Sequence, residues 1–291
     1  MLALGIAAAI MASLLYNGSI ALQALEARKE PREHGLRLSL LGRLLRNRRW
    51  LGATALGLAG WPFEIAALLL APLTVVQPCL ASGLVLLMWL GATRLGEKPA
   101  RRELVALAAI VAGIGGVAAV APERSTDHAG AAALALALVV VALPLLAPYL
   151  LRKPLAGNVR RLGLLATLSA GCGYAWTAIA SKLLSDELAA GTVAVAALWL
   201  ATAAGSESLA LLSEMSALQR RPAIHVAPTM FTAQILVPVL LAPLIFDESW
   251  AETPLNGALL VAFIALAVAG TVLLAGSKAV AAVMESARAE D

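Results

Sequence analysis

Three glutamates, Glu64, Glu207 and Glu214, stand in stretches that are otherwise apolar or small. An ionisable side chain in hydrocarbon costs about 2.5 to 3.5 kcal/mol on insertion scales, so it is expected to face a protein interior and to carry function. Glu207 and Glu214 are seven residues apart and therefore share one face of a helix. Carboxylates so placed can bind a cationic group or exchange protons. The competing role is an acid held neutral by burial, or one hydrogen-bonded to a neighbour such as Ser206 or Ser208. Tyr16, Asn17, Trp61, Tyr174 and Gln234 lie in similar stretches and are candidates, with the three acids, to line a polar cavity. Aromatic faces suit a cationic or ring-bearing solute. The ordinary role of a single Trp or Tyr in such a place is packing or anchoring at a membrane interface.

Other chemistries find little. The histidines His34, His128 and His225 are far apart, and the sequence holds no HExxH, GxSxG or GxxxxGK[ST] pattern. Neither an enzyme nor a cofactor is therefore expected. Cys79 and Cys172 lack CxxC spacing and are expected to be small buried apolar residues.

The elements that must position these residues follow from composition. With 60% hydrophobic residues, 14% charged residues and a mean hydropathy of +0.85, the chain is too apolar for a soluble domain. Nine apolar segments, approximately 2–24, 50–71, 73–93, 103–121, 129–151, 162–183, 190–213, 224–246 and 255–276, each approach the ~20 residues needed to cross a bilayer. The first lacks the basic start of a secretory signal and is counted as a span. Of 22 Lys and Arg residues, all but Arg124 and Lys182 fall in alternate gaps or in the tail. Cytoplasmic loops retain such residues, so the N-terminus is expected outside and the C-terminus inside a cytoplasmic (inner) membrane. The net charge of +4 is explained by this orientation, and nucleic acid is not an expected partner. The expected partners are the lipid bilayer and a small-molecule or cation substrate, and a homodimer is compatible with the pattern. Leucines and arginines interleaved over 35–46 fit an interfacial helix on an anionic leaflet.

The chain also repeats itself. An offset of 150 brings Glu64 onto Glu214, Pro72 onto Pro222, Pro78 onto Pro228 and Glu97 onto Asp247; an offset of 154 brings Ile110 onto Ile264 and Gly116 onto Gly270; an offset of 158 brings Tyr16 onto Tyr174. The expected fold is thus an all-α polytopic membrane protein of nine transmembrane helices. Its expected units are a first repeat (1–121), a connecting fifth helix (122–157), a second repeat (158–276) and a cytoplasmic tail (277–291). Four spans plus an odd connector invert the second copy, an architecture that permits alternating access around a midplane site. Matching positions make Pro78 and Pro228 candidate hinges, although repeated bundles also build channels and scaffolds.

The run Ala66-Ala67-Leu68-Leu69-Leu70-Ala71-Pro72-Leu73-Thr74-Val75-Val76-Gln77-Pro78, a span closing on Leu95-Gly96-Glu97 and a Gly-rich span ending Gly115-Gly116-Val117 resemble the drug/metabolite transporter superfamily. Nine spans and a basic loop ending Arg46-Asn47-Arg48-Arg49-Trp50 are more similar to its NIPA-type magnesium transporter branch than to its ten-span EamA type. Where that branch carries a Gly-Glu pair, this chain has Gly60-Trp61, with Glu64 one turn on. The resemblance implies a secondary or facilitated carrier of a small polar or cationic solute. The alternatives are a divalent-cation transporter, a membrane-embedded lipid enzyme and a non-transporting scaffold.

Overall fold

The computed structural model describes residues 1–27, 46–85, 89, 100–151, 153–154, 158–221 and 223–276. The interfacial helix expected over 35–46 and the tail lie outside them, apart from Arg46. Nine α-helices occur among the described residues: α1 (Leu2–Ala27), α2 (Arg48–Leu70), α3 (Leu73–Leu80), α4 (Arg101–Ala119), α5 (Ala131–Leu150), α6 (Val159–Ala190), α7 (Val193–Leu218), α8 (Ala223–Ile245) and α9 (Ala258–Ala275). Seven of them are long and apolar enough to cross a membrane; the shorter apolar helices are those over Leu73–Gly83 and Thr229–Ile245.

The distribution of polarity is that of a bilayer protein. On α5, whose mean hydropathy is 2.5, Leu136, Val139, Val140, Leu143 and Leu150 are exposed. The interior instead holds Ser13, Asn17, Glu64, Gln77, Lys182, Asp186 and Glu214. An apolar surface of this extent demands a nonaqueous surrounding. Multi-pass insertion in a membrane follows.

Helix limits have local causes. Asn47 starts α2 by accepting the N–H groups of Arg49 and Trp50 at 2.9 and 3.3 Å. Pro72 precedes α3 but offers no side-chain acceptor. Glu248, in the loop after α8, fills that role across the fold: its Oε1 accepts from Leu73 N at 2.8 Å, and its Oε2 accepts from Thr74 N at 3.2 Å and from the Thr74 hydroxyl. α6 runs seven residues beyond the limit set by hydropathy and stops only at Gly191, whose φ of +77° forms a left-handed cap. Lys182 is therefore inside a helix and fully buried rather than in a gap. The same shift puts Glu214 four residues inside the end of α7.

Packing relates the two halves. α1 packs on α2 as α6 packs on α7; α1 on α3 as α6 on α8; α4 on α3 as α9 on α8. Between the halves, α4 meets α9, α3 meets α8, and the α2–α6 contact is mirrored by α1–α7. Individual contacts repeat as well. A Cβ on Gly83 would strike Ser13, and one on Gly171 would strike Ala233; these are the same pair at offsets of 150 and 158. α5 has no counterpart and lies chiefly against α6.

Two apolar clusters mark the ends of the bundle. One joins Trp50, Ala106, Leu162, Leu218, Val226 and Leu274, drawn from the starts of α2, α4, α6 and α8 and the ends of α7 and α9. The other joins Leu73, Val117, Leu183, Phe246 and Leu260. Arg48, Arg49, Arg101, Arg102, Arg160, Arg161, Arg220 and Arg221 flank the first end. Arg124 and Lys182 belong to the second.

Candidate functional site

A cavity of about 410 Å³ opens between the halves, lined by α1, α2, α3, α6, α7 and α8. Its walls carry the repeat. Thr54, Gly57, Leu58 and Trp61 on α2 line one side, and the residues 150 further on, Ala204, Glu207, Ser208 and Leu211 on α7, line the other. Tyr16 and Ser19 on α1 likewise face their counterparts 158 further on, Tyr174 and Thr177 on α6. Spacings of three and four residues place each set on one helical face.

The acids are held differently. Tyr16 donates its hydroxyl to Glu64 Oε2 at 2.5 Å, and Tyr174 donates to Glu214 Oε2. The tyrosine–glutamate pair thus occurs once in each half, at matched positions. Glu64 lines the cavity, whereas Glu214 is fully buried and is not among the lining residues, although its partner Tyr174 is. Glu207 has no hydrogen bond to a tyrosine among the described residues, and it lies within electrostatic range of Glu64, Glu214 and both tyrosines. Its counterpart in the first half is Gly57, where any Cβ would come within 2.7 Å of Ser19 Oγ. The pseudo-symmetric chamber is therefore chemically lopsided.

Of the residues singled out from sequence, Tyr16, Trp61, Glu64, Tyr174, Glu207 and Gln234 come together around this cavity. Asn17 does not. One position round the helix from Tyr16, it turns toward the turn after α3, donates to the Ser13 carbonyl at 2.9 Å and abuts Gly83. Pro78 sits inside α3 and is buried, and Pro228 falls within α8. Gln77 also lines the cavity, at 1% exposure, and its Nε2 has no hydrogen-bond partner among the described residues.

The chamber reaches toward the arginine-flanked end, as Trp50 and Thr54 near the start of α2 belong to its lining. No described lining residue of α2 lies beyond Glu64. At the chamber wall Trp61 Nε1 donates to Ser181 Oγ at 3.1 Å, tying α2 to α6. Next comes a network centred on Asp186, which is 3% exposed. Lys182 Nζ donates to its two oxygens at 2.7 and 2.6 Å and to the Ser125 carbonyl at 2.7 Å. Arg124 donates through Nη2 to Asp186 and through Nε to the Leu68 carbonyl at 2.7 Å, while His128 Nε2 lies 3.1 Å from Asp186 Oδ2. Phe246 packs under Lys182, with its ring centre 5.5 Å from Nζ. The connection after α4, the ends of α2 and α6 and the loop after α8 are thus joined into one network. Nothing in the sequence announced this network, because Arg124, Ser125 and His128 are about sixty residues from the Lys182 and Asp186 that they join.

Among the described residues no three His, Cys, Asp or Glu side chains converge as metal ligands. Compared with family models, curated proteins and solved structures, the chain finds no match in any of the three.

Proposed function

We propose that this chain is a carrier of the drug/metabolite transporter type that moves a small polar or cationic solute across a cytoplasmic membrane by alternating access. In this reading nine spans form two inverted four-helix repeats joined by α5, with the N-terminus outside and the arginine-flanked end in the cytoplasm. The observation that carries it is the lining itself. Six positions of one half face their six counterparts across a single chamber, as expected when two oppositely oriented copies rock about a shared site. The chamber reaches toward one end of the bundle, and in this reading the Trp61–Ser181 contact and the Asp186 network close the other. With no nucleotide motif in the sequence, transport would be secondary or facilitated and would involve no enzymatic step.

The test is two-sided accessibility. In a chain freed of Cys79 and Cys172, Ser208→Cys should react with a membrane-impermeant thiol reagent applied to either face of the membrane. Reaction from the arginine-flanked face alone, under every solute and pH gradient, would remove alternating access. A divalent-cation transporter is the second reading, favoured by two lining carboxylates with no Lys, Arg or His among the described lining residues. A magnesium ion that kept most of its waters would need only one or two such groups. Thermal stabilisation by magnesium that vanishes in Glu207→Gln would select it.

A further inference from the structure

The positions where the two walls of the chamber match in place but differ in chemistry point to the cargo. A pair of identical residues reads an object the same way from both halves, so selectivity must come from pairs that diverge. Two diverge sharply. Glu207 faces the cavity opposite Gly57, and Trp61 faces it opposite Leu211. One half therefore contributes a carboxylate free of any tyrosine, and the other contributes a broad aromatic plate. Gln77 adds a third feature from outside the symmetric set, a buried amide whose Nε2 has no partner among the described residues. A buried donor left unmatched is rare in a folded protein and calls for an explanation. A turn of the amide delivers its bond to an acceptor inside the chamber.

We infer that the solute is an organic amine, protonated at the nitrogen, carrying an apolar or aromatic body and a hydrogen-bond acceptor. Its ammonium group lies at Glu207, its body against Trp61 and its acceptor at Gln77. The size of the chamber supports an organic cation over a hydrated metal ion. Six waters around a divalent ion occupy about 180 Å³, at roughly 30 Å³ each. That is less than half of the 410 Å³ on offer, and it makes no use of the aromatic face of Trp61 in the wall. A chamber of this volume is of the class that holds small drug-sized ligands. Attraction of a cation to an aromatic face adds to the carboxylate contact where water is excluded.

This inference rests on the carrier reading for its purpose, but its test is binding alone. The full chain, purified in lipid nanodiscs, is titrated with phenoxyethylamine, with phenoxyethanol as the neutral counterpart, and with phenylpropylamine, in which a methylene replaces the ether oxygen. Thermal stabilisation and tryptophan fluorescence report occupancy. Phenoxyethylamine is expected to bind at least tenfold more tightly than phenoxyethanol, and this preference should disappear in Glu207→Gln. It should also bind about fivefold more tightly than phenylpropylamine, the difference expected of one neutral hydrogen bond. In Gln77→Leu that ratio should fall to one while the amine preference persists, which also shows the variant to be folded. Equal binding of amine and alcohol, or stabilisation by magnesium alone, overturns the inference. So does an ether preference that survives Gln77→Leu. Because none of these readouts requires the protein to change conformation, loss of amine selectivity with intact two-sided labelling at Ser208→Cys discards the cargo class and spares the carrier. The opposite result does the reverse.

Discussion

Gly113 on α4 lies against Ala267 on α9, and these two residues are each other's counterparts at an offset of 154. A Cβ on Gly113 would come within 2.5 Å of the Ala267 nitrogen. In a twofold arrangement a residue meets its own copy only at the axis. The α4–α9 crossing is thus where an axis relating the halves would pass, and neighbouring contacts agree: Gly270 abuts Ala106 and Ile110, and Gly116 abuts Phe263.

This close approach makes a prediction that separates packing from helix propensity. Gly113→Leu should destabilise the protein by about 1 to 3 kcal/mol, the usual cost of forcing bulk into a filled contact. Gly115→Leu, two residues on with nothing within 4 Å of its Cβ position, should be neutral or slightly stabilising. Thermal unfolding in one detergent decides the matter, and equal effects of the two substitutions would refute the α4–α9 contact.

The cap that Glu248 provides for α3 is equally open to measurement. Glu248→Ala strips acceptors from the Leu73 and Thr74 N–H groups at a buried helix start, and a lost N-terminal cap costs about 0.5 to 2 kcal/mol. Trp250, whose Nε1 reaches Thr74 Oγ1 at 3.4 Å, sits beside it and should report the change by fluorescence. A variant of unchanged stability would show that the cap adds nothing.

Much of this arrangement was legible in the sequence, and the illegible part has physical causes. Hydropathy located the helices, because a segment in lipid must satisfy its own backbone and so runs as one apolar stretch. It misplaced the junction of α6 and α7, because Lys182 and Asp186 resemble a polar gap until Asp186 is seen to hold Lys182 one helical turn away. Matched prolines, acids and tyrosines pointed to a repeat, but that each tyrosine donates to a glutamate of its own half came only from the packing. The chamber's pseudo-symmetry stayed hidden behind unlike residues such as Gly57 and Glu207, since the repeat preserves position there and not side-chain type. Asn17 was grouped with Tyr16 as a lining residue, but a rotation of about 100° per helical residue sends it to a different neighbour.

Asp186 is expected to control access from the end opposite the arginines. It pairs with Lys182, Arg124 and His128 at once, so Asp186→Asn removes the one acid at the centre of three basic groups. Breaking a buried pair by neutralising one partner costs about 3 to 5 kcal/mol in many proteins, and under the carrier reading that cost would fall on a state closed at this end. Ser208→Cys should then react faster with an impermeant reagent applied from that end, by tenfold or more, with no gain from the arginine-flanked end. Pairing Asp186→Asn with Lys182→Met, which removes a buried cation as well, should restore part of the seal. If labelling from that end stays slow in a folded Asp186→Asn protein, the layer is structural and not a gate.

The two tyrosine–glutamate pairs are alike in geometry and unlike in position, and that difference predicts different consequences. Tyr16→Phe removes the hydroxyl that donates to Glu64, an acid in the chamber wall; Tyr174→Phe removes the one that donates to Glu214, an acid outside the lining. Each loses a buried hydrogen bond to a carboxyl group, worth about 1 to 3 kcal/mol, so the two proteins should melt at similarly lowered temperatures. Solute affinity should part them. In Tyr16→Phe, Glu64 is released to compete with Glu207 for a cation, and binding of phenoxyethylamine should change by severalfold and shift in pH dependence. In Tyr174→Phe the freed acid has no direct path to the chamber, and affinity should stay within twofold. Parallel melting and titration of both variants supplies the comparison. Equal changes in affinity would mean that Glu64 and Glu214 act through the fold alone, leaving Glu207 as the sole acid that meets the solute.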